Sequence, residues 1–126
     1  MVYWITGKSG SGKTTLVYKM AYHEVANGNP KVLVLDGANI RQYFPEGDFT
    51  EEGRKRHILT IARFAAVVER QGFTVFIELF SPKKEWREEA AKLFREFRLI
   101  YCPGGTVWKG TEYEEPKKEE MVGMIR

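Results

Sequence analysis

The chain contains the segment Gly7-Lys8-Ser9-Gly10-Ser11-Gly12-Lys13-Thr14, followed by Thr15. This segment matches the pattern G-x-x-x-x-G-K-[ST] of a phosphate-binding loop, or P-loop. The apolar run at residues 2–6 predicts a buried strand before it, and residues 14–27 have the pattern of a helix after it. The glycines let the backbone turn tightly, so that several N–H groups at a helix N-terminus point toward phosphate oxygens. A chance glycine- and serine-rich turn would need neither flanking element, so we predict a nucleotide site here.

The residue types in this loop indicate how it holds ATP and a magnesium ion. In loops of this pattern the lysine, here Lys13, reaches the β- and γ-phosphates, and the hydroxyl at Thr14 binds Mg²⁺. Lys8 adds positive charge, although the pattern does not require lysine there. The residues predicted to bind ATP are Gly7, Lys8, Ser9, Gly10, Ser11, Gly12, Lys13, Thr14 and Thr15.

Length and composition limit the class of protein. A chain of 126 residues has room for one sizeable core, so we expect a single domain over residues 1–126. The net charge of +3 permits a nucleic-acid partner without indicating one. No apolar run is long enough to span a membrane and no secretory signal is apparent. The one cysteine, Cys102, suits a reducing compartment, so we expect a cytoplasmic protein without a membrane partner, with Cys102 buried and unreactive.

Apolar runs alternate with helical patterns along the chain, which predicts an α/β fold. Such alternation implies a mostly parallel sheet with helices on both faces and with ligands at the carboxyl ends of the strands. Asp36 and Glu78 end two of the predicted strands, so we expect both carboxylates at the same sheet edge as the P-loop. The elements predicted after the first strand and helix include strands at 31–35, 73–77, 98–102 and 121–125 and a short helical turn at 40–44.

Two longer helices are also predicted. One begins after an N-cap at Thr50 and ends near Gln71, because apolar residues recur within it every three or four positions. Ser81 and Pro82 are typical of an N-cap and a first helical residue, which predicts a second helix from there to about Phe97.

The segment Leu35-Asp36-Gly37-Ala38-Asn39-Ile40-Arg41, taken together with the P-loop, resembles adenylylsulfate kinases. That family pairs a P-loop with a Leu-Asp-Gly-Asp-Asn-Ile-Arg segment. The likeness continues at residues 49–54, 80–82 and 110–116, so it covers nearly the whole chain. The resemblance implies a P-loop NTPase fold with four to five mostly parallel strands in the order 2-3-1-4-5. It also implies transfer of the γ-phosphate of ATP to an alcohol group of adenylylsulfate, and a possible homodimer.

The resemblance and the chemistry of phosphoryl transfer together suggest roles for individual residues. The predicted catalytic residues are Lys13, Asp36 and Glu78. Asp36 is expected to orient the acceptor or act as general base, and a metal role beside Thr14 stays open for it. Glu78 is expected to act through a metal-bound water or to take over work lost at Ala38. For both acids the alternative is a solvated carboxylate at a strand end.

The acceptor site is predicted from anion-binding and stacking side chains. Arginine grips a phosphate or sulfate with two parallel hydrogen bonds, and aromatic rings sandwich a base. Core packing is the alternative for the aromatic rings, and a structural role is the alternative for the histidine. The residues predicted to bind the acceptor are Arg41, Phe49, Arg54, His57, Phe80 and Ser81.

The chain departs from the family pattern at four places. Ala38 stands where the family has a second Asp, His57 where it has Asn, and Glu78 where it has a small residue. The family's basic lid is reduced to residues 103–109, and we predict an irregular segment over residues 103–120. Trp108 lies in this segment, where stacking on a base, anchoring the tail and a dimer contact are all open.

Three functions follow from this combination of likeness and departure. The first is a kinase that uses ATP and Mg²⁺ to phosphorylate a nucleotide-like acceptor such as adenylylsulfate. The second is a P-loop kinase acting on a hydroxymethylated pyrimidine in DNA or on a modified nucleotide, because a trimmed lid admits a bulkier acceptor. The third is a non-catalytic ATP-binding module, because the lid and the second Asp are missing.

Overall fold

Four strands and five helices form in the part of the chain described by the structure, a computed structural model that covers residues 1–45, 49–107, 109 and 111–123. The strands are β1 Val2–Thr6, β2 Val32–Leu35, β3 Thr74–Glu78 and β4 Phe97–Tyr101. The helices are α1 Lys13–Ala26, α2 Gly37–Tyr43, α3 Glu51–Arg70, α4 Lys84–Ala91 and α5 Lys118–Gly123.

All four strands are parallel and lie in the order β2-β3-β1-β4. This arrangement confirms the α/β fold and the first four positions of the predicted strand order. Ile5 on β1 lies opposite Glu78 on β3, and Thr6 lies opposite Tyr101 on β4. The carboxyl ends of the strands therefore meet at one edge of the sheet, where the P-loop begins.

Each face of the sheet is covered because side chains alternate along a strand. On β1, Val2 and Trp4 enter a core shared with α3 and α4, whereas Ile5 packs with Val17 and Ala21 of α1. The long helix α3 begins as predicted, since the Thr50 hydroxyl accepts a hydrogen bond from the Gly53 N–H at 3.0 Å. Its apolar stripe faces the sheet, so α3 forms part of the helical layer on that face.

The prediction of a helix from Ser81 to about Phe97 is wrong at both ends. Helix α4 begins at Lys84, and its first N–H is capped by the Glu114 carboxylate at 3.0 Å. At the other end, the Glu69 carboxylate accepts hydrogen bonds from the N–H groups of Arg95 and Glu96 at 2.9 and 3.1 Å. The helix therefore ends at Ala91, and tertiary contacts rather than the Ser81-Pro82 pattern determine where it begins. Phe97 lies in β4.

The predicted edge strand at 121–125 is also wrong over the residues that the structure describes there. Residues 121–123 belong to helix α5, and residues 124–126 lie outside the described part. Glu119 and Glu120 occupy the first turn of α5, where carboxylates interact favourably with the helix dipole. The sheet therefore has four strands in the described part of the chain. Helix α5 follows residues 111–117, which we call the tail segment.

No helix among the described residues is long and apolar enough to cross a lipid bilayer.

Candidate active site

The P-loop joins β1 to α1 and presents its backbone at the N-terminus of that helix. Gly10 and Gly12 have φ values of 76° and 94°, which glycine adopts without steric strain. Gly12 is the N-cap of α1, and neither a capping side chain nor an acidic residue occupies the first turn. The free N–H groups and the helix dipole therefore favour an anion at this position.

Two side chains of the P-loop show how it fits a polyphosphate. The Lys13 ammonium donates to the carbonyl oxygens of Gly7 and Lys8, both at 2.9 Å, and burial lowers the pKa of Lys13. The buried Ser11 Oγ has no hydrogen-bond partner among the described residues. A buried hydroxyl without a partner is costly, and a phosphate oxygen would satisfy it.

A cavity of about 710 Å³ lies beside the P-loop at the carboxyl edge of the sheet. It is the space in which residues predicted from distant parts of the sequence come together. The predicted site residues that line it are Ser9, Gly10, Lys13, Thr14, Arg41, Phe49, Arg54, His57, Glu78 and Phe80. Asp36 and Ser81 are not among the residues that line it.

Glu78 is the carboxylate that faces the P-loop. Its Oε1 accepts a hydrogen bond from the Thr14 hydroxyl, and its Oε2 accepts one from the Gly37 N–H at 3.3 Å. Only 7% of Glu78 is exposed, and no ion pair formed by the described residues includes it. Buried charges are normally paired or bound to a metal, so this carboxylate and the Thr14 hydroxyl suit a divalent cation.

Gly37 allows that carboxylate and a guanidinium to approach the same point. A Cβ at Gly37 would lie 3.0 Å from Glu78 Oε2 and 3.5 Å from Arg41 Nη1. The absence of a side chain at Gly37 therefore leaves room for the Glu78 carboxylate and the Arg41 guanidinium beside the same point of the backbone.

Asp36 caps the N-terminus of α2 and does not line the cavity. Its Oδ1 accepts from the Asn39 N–H at 2.9 Å, and its Oδ2 accepts from the Asn39 amide at 2.8 Å and from the Tyr18 hydroxyl. Burial raises the pKa of Asp36, but the hydrogen bonds from Tyr18, Asn39 and Ala38 outweigh it, so the pKa is lowered. This geometry favours a capping role, and it places Glu78 rather than Asp36 beside Thr14.

The acceptor side of the cavity is cationic and aromatic. Arg41 is exposed and Arg54 is half-buried, and both line the cavity together with the buried His57. Phe49 is 71% exposed, so core packing is excluded for it. Phe80 is half-buried and stacks on Tyr113 with ring centroids 5.8 Å apart. These side chains form a surface that suits an anionic, ring-bearing molecule.

Ser81 does not touch the cavity, but it holds the loop that carries Phe80. Its Oγ accepts a hydrogen bond from Trp4 Nε1 and donates one to Thr6 Oγ1, both at 3.0 Å. The Tyr113 hydroxyl shares a hydrogen bond with Thr6 Oγ1 at 2.9 Å. Burial raises the pKa of Tyr113 to about 12, so the hydroxyl stays protonated.

The short segment that follows β4 packs directly on the P-loop. The Thr106 N–H donates to the Ser9 carbonyl at 2.9 Å, and the Cys102 thiol donates to the Ser11 carbonyl at 2.9 Å. Gly105 has φ of 76°, and a Cβ there would lie 2.4 Å from the Ser9 oxygen. Cys102 is half-buried rather than fully buried as predicted. Trp108 lies outside the described residues, so the roles suggested for it stay predictions.

The fold and the cavity define a class of protein. A loop suited to a polyphosphate and two arginines that line the same cavity are typical of an enzyme that moves a phosphoryl group between two anionic substrates. The class is therefore that of the P-loop kinases.

Comparison with known proteins assigns the chain to one family within that class. The sequence model of the adenylylsulphate kinase family matches residues 1–118. A probable adenylyl-sulfate kinase of Archaeoglobus fulgidus is 32% identical, over 96% of this chain and 93% of that protein. One of Pyrococcus abyssi is 37% identical, over 78% of this chain but only 56% of that protein. The chain belongs to the adenylylsulfate kinase family.

A solved structure supports the same assignment. The adenylylsulfate (APS) kinase CysC of Mycobacterium tuberculosis, crystallised in complex with AMPPNP and APS, superimposes with a TM-score of 0.74 at 26% identity. The match covers 81% of this chain and 61% of that chain. The resemblance stated from residues 7–15 and 35–41 is thereby confirmed.

Proposed function

We propose that this protein transfers the γ-phosphate of ATP to a hydroxyl group of adenylylsulfate. One observation carries the proposal: the P-loop lysine Lys13 and the arginines Arg41 and Arg54 line the same cavity, of about 710 Å³. A volume of this size accommodates small ligands, and the two cationic regions suit two anionic substrates in contact. The family assignment supports the same reaction.

The P-loop is the donor side of this reaction. Phosphoryl transfer depends on positioning and on stabilising charge, rather than on covalent participation of the protein. The Lys13 ammonium, now bound to two P-loop carbonyls, is in position to hold the β- and γ-phosphates, and the α1 N-terminus adds favourable potential.

The opposite wall is the acceptor side. Arg41 and Arg54 hold the sulfate and phosphate oxygens of adenylylsulfate through parallel N–H donors, which gives orientation as well as charge. Phe49 and Phe80 supply apolar faces for the adenine ring. His57 completes this wall and hydrogen bonds to the acceptor or supports Arg54.

A magnesium ion is implied by the use of ATP in this family. The described residues contain no cluster of three or more metal-binding acidic, histidine or cysteine side chains. Mg²⁺ in such enzymes needs few protein ligands, because it keeps several waters and binds the phosphates. The Thr14 hydroxyl and the Glu78 carboxylate would hold it, and the ion would supply neutralisation of the negative charge on the transferring phosphoryl group.

The proposal is tested with labelled ATP and a panel of acceptors. Label transferred to adenylylsulfate is the expected result. Label transferred only to a hydroxymethylated pyrimidine nucleotide or to hydroxymethylated DNA would replace the acceptor and keep the reaction. Tight binding of Mg-ATP with no transfer to any acceptor would leave a binding module and contradict the proposal. The Arg41→Gln/Arg54→Gln variant, which keeps the P-loop, should lose transfer and retain ATP binding.

Glu78 is tested by its isosteric amide. In Glu78→Gln we expect the Mg²⁺ concentration needed for half-maximal binding of an ATP analogue to rise about tenfold or more, because a carboxylate that holds the ion directly or through a water is lost. Binding measured without Mg²⁺ should change little. Glu89→Gln is the matched control. Glu89 lies on α4, pairs with Lys55 of α3 at 2.9 Å and does not line the cavity. An unchanged Mg²⁺ requirement in Glu78→Gln would remove Glu78 from the metal site.

Cytoplasmic localisation and a homodimer, both suggested from the sequence, remain part of this proposal. Sedimentation of the purified protein over a range of concentrations tests the second.

A further inference from the structure

Arg87 is a fully buried arginine that lies outside the cavity. Its Nε and Nη2 donate to the two carboxylate oxygens of Glu120 at 2.8 and 3.3 Å. Its Nη1 donates to the Ser81 carbonyl at 2.6 Å, and its Nη2 also donates to the Glu114 carbonyl at 2.8 Å. One guanidinium on α4 thus joins the loop at residues 80–82 to the tail segment and to α5.

Stability alone does not account for this arrangement. A buried ion pair loses so much hydration that replacing both partners with apolar residues is often neutral or stabilising. The two bonds to backbone carbonyls are different, because they use the fixed fork of the guanidinium to set the position of the chain. Neither an apolar side chain nor lysine reproduces that geometry.

The carbonyl that Arg87 holds belongs to the loop that forms one wall of the cavity. Phe80 and Pro82, on either side of Ser81, both line the cavity. The Pro82 carbonyl also accepts a hydrogen bond from the Glu114 N–H at 2.7 Å. The loop is therefore tied to the tail directly as well as through Arg87.

The tail segment also packs on the Phe80 ring, through Tyr113. The Tyr113 ring stacks on Phe80, and Arg87 lies over the same ring with its central carbon 5.7 Å from the centroid. Tyr113 is fixed at its other end by the hydrogen bond to Thr6. Arg87 thus contacts two residues that fix Phe80, namely Ser81 and Tyr113, so we expect a shift of Arg87 to move Phe80.

We propose that Arg87 is a positioning residue that sets the acceptor-binding wall at residues 80–82 by binding the Ser81 and Glu114 carbonyls. This inference rests on the proposed function, because it gives that wall its role in holding the acceptor. Arg87 acts through Phe80 and touches neither substrate. Its removal therefore weakens acceptor binding and leaves the P-loop side unchanged.

The deciding variant is Arg87→Met/Glu120→Met. The single change Arg87→Met leaves Glu120 buried and unpaired, so we expect a large loss of thermal stability. The double variant removes both charges and should recover most of the melting temperature. Its KM for adenylylsulfate should nevertheless stay raised about tenfold or more, with the KM for ATP within about twofold of the original, since only one substrate's binding is affected.

Two further variants complete the test. Arg87→Lys keeps a positive charge beside Glu120 but loses the fork, so it should raise the KM for adenylylsulfate in the same way. Lys84→Gln/Glu88→Gln is the control, because it removes an exposed ion pair of 3.8 Å from the same helix and keeps the backbone N–H of residue 84 that Glu114 binds. A double variant Arg87→Met/Glu120→Met with its original KM for adenylylsulfate would overturn the proposal and leave Arg87 a structural residue.

A second readout separates this inference from the proposed function. If the unmodified protein transfers phosphate to no acceptor, the proposed function fails. Amide hydrogen exchange at residues 79–81, which precede Pro82, is compared between the double variant and the unmodified protein and then decides the inference about Arg87. Faster exchange confined to this loop supports the positioning role, and unchanged exchange contradicts it.

Discussion

The two sides of the cavity are built in opposite ways. The proposed donor side is one continuous run, residues 7–15, whose main-chain groups we expect to bind ATP and whose lysine lies within the run. The loop at residues 80–82, one part of the proposed acceptor side, is held by contacts among residues 4–6, 80–82, 87, 113–114 and 120, which we call the Arg87 junction. A local site is recognised from its pattern, whereas a site held by distant contacts is recognised only in three dimensions.

The largest effect should come from the donor side, where one side chain has no substitute. In Lys13→Met we expect turnover to fall about 10³-fold, because a charge that stabilises the transferring phosphoryl group is lost in a water-poor site. Lys19→Met, which removes an exposed lysine of α1, is the control. The measurement is transfer of label from ATP. If Lys13→Met loses less turnover than Arg87→Met at equal fractions of folded protein, the contrast between the two sides is wrong.

The next effect distinguishes the two acids at the sheet edge. Asp36→Asn should lower turnover by less than about tenfold, whereas Glu78→Gln should lower it about 10²-fold, because only Glu78 lies beside Thr14. Steady-state kinetics of both variants at saturating Mg²⁺ measures this difference. A loss of turnover in Asp36→Asn equal to that in Glu78→Gln, with ATP affinity unchanged, would support the sequence prediction that Asp36 orients the acceptor or acts as general base.

Asp36 should instead show itself in the pH dependence of stability. Its pKa is lowered in the folded protein, so its ionised carboxylate stabilises the fold above the unfolded value of about 3.9. That contribution is lost as pH falls through the folded-state pKa. Chemical denaturation should therefore show Asp36→Asn less stable than the unmodified protein at pH 7, with the difference shrinking as pH falls below about 3.9. A stability difference that does not change with pH would exclude this role.

A smaller effect tests the segment that packs on the P-loop. Gly104 and Gly105 both have positive φ, so alanine at either position strains the backbone by about 1–2 kcal/mol. A Cβ at Gly104 meets nothing within 4 Å, whereas one at Gly105 meets the Ser9 carbonyl at 2.4 Å. Gly105→Ala should lose about 1–3 kcal/mol more and bind ATP more weakly. Equal melting temperatures and ATP affinities for the two variants would show that this segment does not shape the P-loop.

The smallest effect concerns Tyr113 in the Arg87 junction. Burial raises its pKa to about 12, so the neutral hydroxyl contributes stability below pH 10 that is lost as pH rises toward 12. Tyr113→Phe keeps the stack on Phe80 and lacks the titrating group. Thermal unfolding between pH 9 and about 11 should therefore show a smaller decline for the variant. Parallel declines would place the alkaline sensitivity elsewhere.

How much of the molecule the sequence predicts depends on how local each contact is. Four of the five predicted strands, the P-loop between β1 and α1, and the Thr50 cap follow from patterns within a few residues, and the structure confirms them. The ends of α4 could not be predicted, because they depend on two carboxylates that are distant in sequence. Glu114 binds the first N–H of α4, and Glu69 binds the N–H groups of Arg95 and Glu96 beyond its last residue. Arg87 gave no sign in the sequence, since its partner Glu120 lies 33 residues away in a segment without a pattern.

The sequence does contain a local sign of the structural role of Asp36. Asp36 precedes Gly-Ala-Asn, and an aspartate before a helical stretch is a favoured N-cap, which is the role it has at α2. That reading also accounts for its position outside the cavity. The predicted strand order implies that Glu78 lies beside the P-loop and Asp36 one strand further out, and the structure has this order. The contact between Glu78 and Thr14 could not be predicted, because only the packing shows it.

The bridge between Ser9 and Thr106 limits how this enzyme could be given a longer cover over its substrates. The chain from Cys102 to Thr106 is bonded to the P-loop at both ends and has no room for a side chain at Gly105. A grafted insertion before Thr106 would pull on the nucleotide-binding backbone itself. An insertion between Thr106 and Thr111 would lengthen the cover while leaving that anchorage in place, so this is where an engineered or inherited extension is best tolerated.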